Sequence, residues 1–181
     1  ALTWAWYLLG VYPEYAESLA VEADEVFGDR RPRFDDLPRL GWASAVYDET
    51  LRLYPPGWLI TRKAVADDEV LGHHIPAGSL IVISPFLIHR HPASGPDSEL
   101  FEPGRFLGEA PPRQSGAYLP FGAGPRLCIG REMARAEGAL VLSMAAQRFR
   151  LQPTSTRPME AKPLVMLKPR GGLHMTLHER C

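Results

Sequence analysis

Residues 121–130 read FGAGPRLCIG and stand directly before a helical pattern, REMARAEGALVLSMAAQRF, at residues 131–149. These ten positions hold three glycines, one proline, one arginine and one of only two cysteines in the chain. The other cysteine, Cys181, is the last residue, so the sequence carries no disulfide framework. Cys128 is therefore either a small buried hydrophobic residue or a thiol held in place for reactivity or ligation.

The composition is that of a soluble globular protein, with 45% hydrophobic and 23% charged residues among 181. A formal net charge of −1 gives no sign of a strongly basic face, so we expect no nucleic-acid partner. The cysteine usage suits a reducing compartment, so we expect a cytoplasmic protein without a disulfide-linked partner. The first residues, ALTWAWYLL, fall inside a helical pattern with no capping residue ahead of it, which predicts a chain that starts within a longer helix.

Periodicity and turn residues divide the chain into helices and short strands. Helices are predicted over residues 1–12, 13–27, 39–54 and 131–149. A strand is predicted at WLITRKAV (58–65), and a hairpin is predicted in which PAGS joins the strands VLGHHI (70–75) and SLIVISPF (79–86). Further strands are predicted at FRLQP (149–153) and within LVMLKPRGGLHMTLHER (164–180), where Gly171-Gly172 forms a turn. The stretch from Pro92 to Pro120 is rich in Pro and Gly, which is typical of a packed functional loop.

Two common readings of a glycine-rich, cysteine-bearing loop fail here. A dinucleotide loop needs a third glycine three residues after Gly124, and Leu127 stands there instead. A zinc site needs paired Cys or His at close spacing, whereas Cys128 stands alone and the histidines lie in strand or loop segments. The remaining option is a single thiolate that binds a haem iron from the start of a helix, where free N–H groups favour the anion. Glycines would let the backbone approach a flat macrocycle, and Arg126 could bind a propionate.

The loop resembles the haem-binding loop of the cytochrome P-450 family. Its pattern, F-G-x-G-x-R-x-C-x-G, is reproduced by Phe121, Gly122, Gly124, Arg126, Cys128 and Gly130. Two further motifs stand in the order of that family, Glu49-Thr-Leu-Arg52 and Phe101-Glu-Pro-Gly-Arg105-Phe106. The resemblance implies a fold that is mainly α with small β-sheets (α+β), and residues 1–181 as the C-terminal, haem-binding part of a single domain. In that reading, residues 1–12 end the central helix, 39–54 form the helix with the Glu-x-x-Arg motif, 121–130 the haem loop and 131–149 the helix after the cysteine.

The resemblance also assigns roles to individual residues. Glu49 and Arg52 alone would most often be a solvated helix pair, but the resemblance implies a buried network with Arg105 beneath the haem. Arg62 matches a propionate-binding position, although a strand-edge arginine explains it nearly as well. Cofactor contacts are expected from Cys128, Arg126, Arg62, Pro120, Phe121, Gly122, Gly124 and Gly130. The substrate pocket is expected to include Gly57, Trp58, Leu59, Ile60 and Val165, the last in a terminal strand pair, with ordinary core packing as the alternative.

The activity implied is that of a haem-thiolate monooxygenase with haem b, in which the Cys128 thiolate is the axial ligand to the iron and promotes O–O cleavage. Such an enzyme oxidises an apolar small organic substrate with O2 and electrons from NAD(P)H, delivered by a flavoprotein or ferredoxin. A basic patch of Arg113, Arg131 and Arg135 could dock that donor, with solvated helix charges as the alternative. Peroxygenase or dehydratase chemistry, or a non-catalytic haem-binding fragment, are the other readings. The family's acid-Thr pair is absent from these residues, so we expect residues 1–181 alone not to turn over substrate.

Overall fold

A computed structural model describes residues 1–92, 97–108, 116–155 and 157–180. The α-helices are α1 (Leu2–Val11), α2 (Pro13–Phe27), α3 (Gly41–Leu53), α4 (Pro85–Ile88) and α5 (Arg131–Arg148). Short 3-10 helices cover Phe34–Arg39, Pro103–Phe106 and Gly124–Arg126. Pro13 is the first residue of α2, a position where its missing N–H costs nothing. Pro55 and Pro56 follow α3 and prevent it from continuing.

The core lies where α1, α2 and α5 pack around α3. Leu8, Leu19, Val46 and Leu142 are among its members, and each is at most 4% exposed. The helix α3 is buried along nearly its whole length, including the polar residues Asp48, Glu49 and Arg52. Charged residues in a core need ionic or hydrogen-bonding partners. The polar contacts described below are therefore those of the buried side chains of α3.

Four two-stranded antiparallel sheets flank the helices. They pair β1 (Ile60–Lys63) with β4 (Leu80–Ile83), β2 (Asp68–Val70) with β3 (His73–Ile75), β5 (Phe149–Pro153) with β8 (Met175–Glu179), and β6 (Ala161–Pro163) with β7 (Leu167–Pro169). The register places Ile60 opposite Ile83 and Leu151 opposite Leu177. The predicted class, mainly α with small β-sheets, is confirmed.

Two predicted strand pairings are wrong. The run VLGHHI is not one strand that pairs with SLIVISPF, because Leu71 and Gly72 both have positive φ (52° and 81°) and turn the chain between β2 and β3. Positive φ at both central positions is the geometry of a tight two-residue hairpin. The strand β4 returns instead to β1. The Gly171-Gly172 turn likewise leads from β7 to β8, which lie in different sheets.

Among the described residues, no helix is both long and apolar enough to cross a bilayer. Arg113 and Cys181 lie outside the described residues. The structure therefore bears on the expected basic patch only through Arg131 and Arg135.

Candidate haem-binding site

One cavity of about 770 Å³ is lined by six of the eight residues that are expected to contact the cofactor. The predicted site residues that line it are Gly57, Ile60, Arg62, Pro120, Phe121, Gly122, Arg126 and Cys128. Ala1, Tyr47, Leu51, Pro56 and Ala134 complete the lining. The volume falls within the range of about 300 to 1,000 Å³ that is usual for cofactor and ligand pockets. The cavity is thus formed by the haem loop (residues 121–130), the buried helix α3 and the turn before β1.

The haem loop is closed by backbone hydrogen bonds. The Cys128 N–H donates to the Phe121 carbonyl at 3.0 Å, and the Leu127 N–H donates to the Gly124 carbonyl at 3.0 Å. Gly122 and Gly124 have φ of 78° and 69°, a region that residues with a side chain rarely adopt. Because these two residues reverse the backbone, Cys128 lies at the cavity wall with its side chain exposed.

The thiol lies directly before α5. The Arg131 N–H, at the first residue of the helix, donates to the Cys128 carbonyl at 3.3 Å. A Cβ built on Gly130 would lie 4.0 Å from the Cys128 Sγ, so Gly130 leaves the flank of the sulfur uncovered.

Two arginines accompany the thiol in the cavity lining. Arg126 follows the Gly124 turn, and Arg62 lies in β1 with its Nη1 donating to the Thr61 carbonyl at 2.8 Å. Both side chains are exposed. A thiol, two guanidinium groups and an apolar wall match the chemistry of haem, whose iron accepts a thiolate and whose two propionates bind cations. The donor set therefore fits the cofactor that the motif implies.

Glu49 and Arg52 of α3 meet Arg105 of the 3-10 helix Pro103–Phe106. These three residues are called the ion network below. Arg52 donates from Nε and Nη2 to the two Glu49 carboxylate oxygens, at 2.6 and 2.8 Å. Arg105 Nε donates to Glu49 Oε1 at 3.2 Å, and the Glu102 N–H donates to the same oxygen at 2.8 Å. Glu49 is fully buried and Arg52 is 6% exposed.

Arg52 also fastens the long connection that precedes the haem loop. Its Nη1 donates to the carbonyls of His89 and Ser98, at 3.0 and 2.5 Å, and its Nη2 donates to the Leu100 carbonyl at 2.8 Å. One buried guanidinium thus satisfies a carboxylate and three backbone carbonyls, which is the condition for burying a charge without large cost.

Asp48 of α3 is a second buried polar residue, and it contacts Tyr118 before the haem loop and Arg135 after it. The Tyr118 hydroxyl lies 2.9 Å from the Asp48 carbonyl and 3.2 Å from Asp48 Oδ1. Arg135, in the second turn of α5, forms an ion pair with Asp48 Oδ2. Burial, followed by the charge of Asp48, raises the pKa of Tyr118 well above its usual range, so its hydroxyl keeps its proton. The sequence reasoning missed Asp48 and Tyr118, although one adjoins Glu49 and the other lies three residues before the loop.

The two described arginines of the expected basic patch, Arg131 and Arg135, differ in their contacts and exposure. Arg135 is held by Asp48, and Arg131 pairs with Glu132 while its side chain stays 43% exposed. Arg131 is thus the described arginine of this group that remains open to a docking partner.

The expected substrate-pocket residues divide into two sets. Gly57 and Ile60 line the same cavity as Cys128, whereas Trp58, Leu59 and Val165 are not part of that lining. The expectation that Val165 lies in a terminal strand pair is wrong, because it occupies the turn between β6 and β7 and is 97% exposed. Trp58 Nε1 donates to the Leu164 carbonyl at 2.8 Å, so the β6–β7 turn is tied to the wall of the cavity.

Comparison with known proteins agrees with these motifs. The family model described as Cytochrome P450 matches residues 1–175. Cyclooctatin synthase of Streptomyces melanosporofaciens is 43% identical over 168 residues, which are 92% of this chain and 37% of that protein. Human Cytochrome P450 4F2 is 42% identical over 178 residues, 95% of this chain and 34% of that protein. A crystal structure of the cytochrome P450DA heme domain superposes with a TM-score of 0.92 at 29% identity, over 99% of this chain and 40% of that one.

The chain belongs to the cytochrome P450 family. It spans little more than a third of the length of the curated relatives named above. The fold is that of the corresponding part of a P450 haem domain.

Proposed function

We propose that this chain is the haem-binding part of a cytochrome P450 monooxygenase that oxidises an apolar small organic substrate. The observation that carries the proposal is the convergence of Cys128, Arg126 and Arg62 on one cavity, beside a loop reversed at two glycines. Because Cys128 is the cavity-lining thiol among the described residues, it is proposed as the residue that would hold the iron of haem b.

When bound, haem supplies the redox and oxygen chemistry. Cys128 would bind the metal through its sulfur, from the loop that leads into α5. Arg126 and Arg62 would bind the propionates and so set the orientation of the macrocycle in its plane. Pro120, Phe121 and Gly122 line the cavity beside the sulfur, where they would exclude water from it. Gly124 and Gly130 shape the loop rather than line the cavity.

The ion network is proposed to be structural. Glu49 and Arg52 are shielded from solvent and hold the backbone on both sides of residue 100, so they hold the connection that leads to the haem loop. They lie outside the cavity lining and would not touch the substrate.

An apolar substrate is supported by the cavity wall and by relatives. Tyr47, Leu51, Pro56 and Ile60 give the cavity an apolar lining. A relative from Streptomyces melanosporofaciens, 42% identical over 153 residues, is named cyclooctat-9-en-7-ol 5-monooxygenase. Gly57, Trp58, Leu59, Ile60 and Val165 are proposed to face the substrate, and of these Gly57 and Ile60 line the same cavity as Cys128.

Electrons are proposed to come from NAD(P)H through a flavoprotein or ferredoxin that docks at the surface near Arg131. Arg131 begins the helix that follows Cys128, so a donor bound there would lie close to the proximal face of the haem. A cytoplasmic location is proposed from the cysteine usage of the sequence.

The absorption of the reduced carbon monoxide complex of the haem-loaded protein tests the assignment, because it reports whether a thiolate binds the iron. A thiolate spectrum is expected, and in a protein that carries the complete P450 domain around this chain, oxidation of apolar substrates that needs both O2 and reductant is expected as well. A thiolate spectrum with turnover by peroxide alone would favour a peroxygenase. Absence of the thiolate spectrum would contradict the proposal.

A further inference from the structure

His89 is a fully buried imidazole that takes no part in the cavity lining. It directly follows α4 and lies 37 positions from Arg52 and 30 positions from Leu119 along the chain. Both of its ring nitrogens are engaged. Nδ1 lies 3.0 Å from the Arg52 carbonyl, and Nε2 lies 2.7 Å from the Leu119 backbone nitrogen.

The partners determine the tautomer of the ring. The Arg52 carbonyl can only accept a hydrogen bond, so the proton of a neutral ring is on Nδ1. The Leu119 N–H can only donate, so Nε2 must carry a free lone pair. A protonated imidazole would set a second N–H against the Leu119 N–H and break this contact.

These two contacts connect the ion network to the haem loop. Arg52 donates back to the His89 carbonyl from Nη1 at 3.0 Å, so side chain and backbone of His89 are both held by the same residue. Leu119 immediately precedes Pro120, which lines the cavity together with Cys128. His89 is thus a direct hydrogen-bonded link between α3 and the residue that leads into the haem loop.

Neighbouring contacts hold the same segment against displacement. The His89 and Tyr118 rings have centroids 5.3 Å apart, and Tyr118 reaches the Asp48 carbonyl and carboxylate. Phe106, next to Arg105 of the ion network, also packs against Tyr118, with ring centroids 5.1 Å apart. The Tyr118 side chain and the Leu119 amide are therefore held by separate groups, and His89 contacts both residues.

We propose that His89 is a positioning residue for Cys128: as a neutral acceptor for the Leu119 amide, it fixes the start of the haem loop and thereby the position from which the thiolate reaches the iron. This inference rests on the proposed haem-thiolate function. The imidazole acts through the backbone, and it touches neither cofactor nor substrate.

The protonation state of the ring agrees with this role. Burial lowers the pKa of His89 to about 4, and the charges of Arg52 and Arg90 act in the same direction. The hydrogen bond to the Arg52 carbonyl opposes the decrease without cancelling it. The ring is therefore neutral at neutral pH, the state that the Leu119 contact requires.

Two substitutions at His89 test its contact with Leu119 and its contact with Arg52 separately. In His89→Gln, the side-chain carbonyl can take the place of Nε2 and accept from the Leu119 N–H. In His89→Asn, the amide can take the place of Nδ1 and donate to the Arg52 carbonyl, but it is too short to reach Leu119. The haem-loaded parent and both variants are compared by haem content, by the reduced carbon monoxide spectrum and by hydrogen exchange of the Leu119 amide.

The parent and His89→Gln are expected to keep the thiolate spectrum. His89→Asn is expected to lose the thiolate spectrum over time about tenfold faster than the parent. Its Leu119 amide is also expected to exchange about tenfold faster, because leaving a covered N–H without an acceptor changes an equilibrium by about that factor. Equal spectra and equal exchange in His89→Asn and the parent would overturn the inference. Equal losses in both variants would also overturn it, since they would show that the acceptor at Leu119 is not the feature that matters.

If neither variant folds, the parent alone still decides. Nitrogen NMR of the diamagnetic reduced carbon monoxide form should show a neutral ring protonated on Nδ1, and a ring protonated on Nε2 would overturn the inference. A parent without a thiolate spectrum would instead contradict the proposed function. The two failures are therefore distinguishable.

Discussion

Arg135 of α5 forms an ion pair with Asp48 of α3, one residue before Glu49 of the ion network. The Asp48 side chain is 7% exposed and that of Arg135 is 35% exposed. This contact couples the helix that follows Cys128 to the buried helix that carries the network. Sequence reasoning grouped Arg135 with Arg131 as docking charges, and the structure separates them.

Arg135→Ala should lower the free energy of unfolding by about 2 kcal/mol, because it removes a charged hydrogen bond from a nearly buried carboxylate. Arg131→Glu is the matched variant, and its exposed position should keep the change within about 0.5 kcal/mol. Denaturant unfolding measures both. Arg131→Glu should instead slow reduction by an acidic protein donor and weaken its salt dependence, while turnover with peroxide stays unchanged. Equal stability losses in Arg135→Ala and Arg131→Glu would contradict the conclusion that Arg135 forms a structural ion pair and Arg131 does not.

Glu49→Ala should destabilise the protein by about 3 to 5 kcal/mol, since it leaves Arg52 buried without its carboxylate. Glu17→Ala serves as the control. Glu17 pairs with Arg150 at 3.7 Å, both side chains are more than half exposed, and loss of such a pair costs at most about 1 kcal/mol. Haem content and thermal unfolding are the measurements. A Glu49→Ala protein that carries full haem and melts with the parent would show that the network is dispensable.

Cys128→Ser should abolish the thiolate spectrum and O2-dependent turnover, because a serine hydroxyl is not ionised at neutral pH. The Cys128 side chain is exposed, so when both proteins are compared without haem the variant should unfold within about 0.5 kcal/mol of the parent. Cys181→Ser, the other thiol substitution available, should change neither property. A thiolate spectrum that survives in Cys128→Ser and disappears in Cys181→Ser would reverse the ligand assignment.

Gly138→Ala should be destabilising although alanine favours helices. A Cβ at Gly138 would overlap three ring carbons of Tyr47, which is 7% exposed and lines the cavity. Overpacking costs about 1 to 3 kcal/mol, against a helix-propensity gain of about 1 kcal/mol. Gly41→Ala is the control, because its Cβ would make only ordinary contacts, the nearest at 3.6 Å. Unfolding curves should show a loss for Gly138→Ala that a second substitution, Tyr47→Leu, partly restores.

The stability of the parent should fall as the pH drops from about 6.5 to about 4, in part because of His89. The unfolded chain binds a proton at His89 near its ordinary pKa of about 6.5, whereas burial lowers the pKa of the folded state to about 4. The unfolded state thus holds more protons across this window, and the free energy of unfolding decreases toward acid. Arg52, Arg90 and the Tyr118 ring face the imidazole, and none of them changes charge in this range.

Chemical denaturation of the parent and His89→Gln across that window measures the effect. Carboxylates elsewhere also bind protons in acid, and comparison of the two proteins removes their contribution. His89→Gln should lose less stability than the parent between about pH 6.5 and about pH 4. Parallel curves would indicate that the imidazole titrates normally in the folded protein.

By itself, the sequence determined the four long helices, the fold class, the family and the identity of the candidate thiolate. Helix periodicity is local, and the spacing of Gly122, Gly124, Arg126 and Cys128 is a property of ten consecutive residues. Such short-range patterns carry their meaning without knowledge of the rest of the chain.

Only the tertiary structure decided which strands pair and which polar groups meet. The pairing of β1 with β4, and the place of Val165 in an exposed turn, depend on contacts between segments that have no local signature. The same holds for His89, whose hydrogen-bond partners lie at least 30 residues away and which no local sequence pattern distinguishes. A buried polar group must find its partners wherever the fold places them, and for His89 the fold places them in α3 and beside the haem loop.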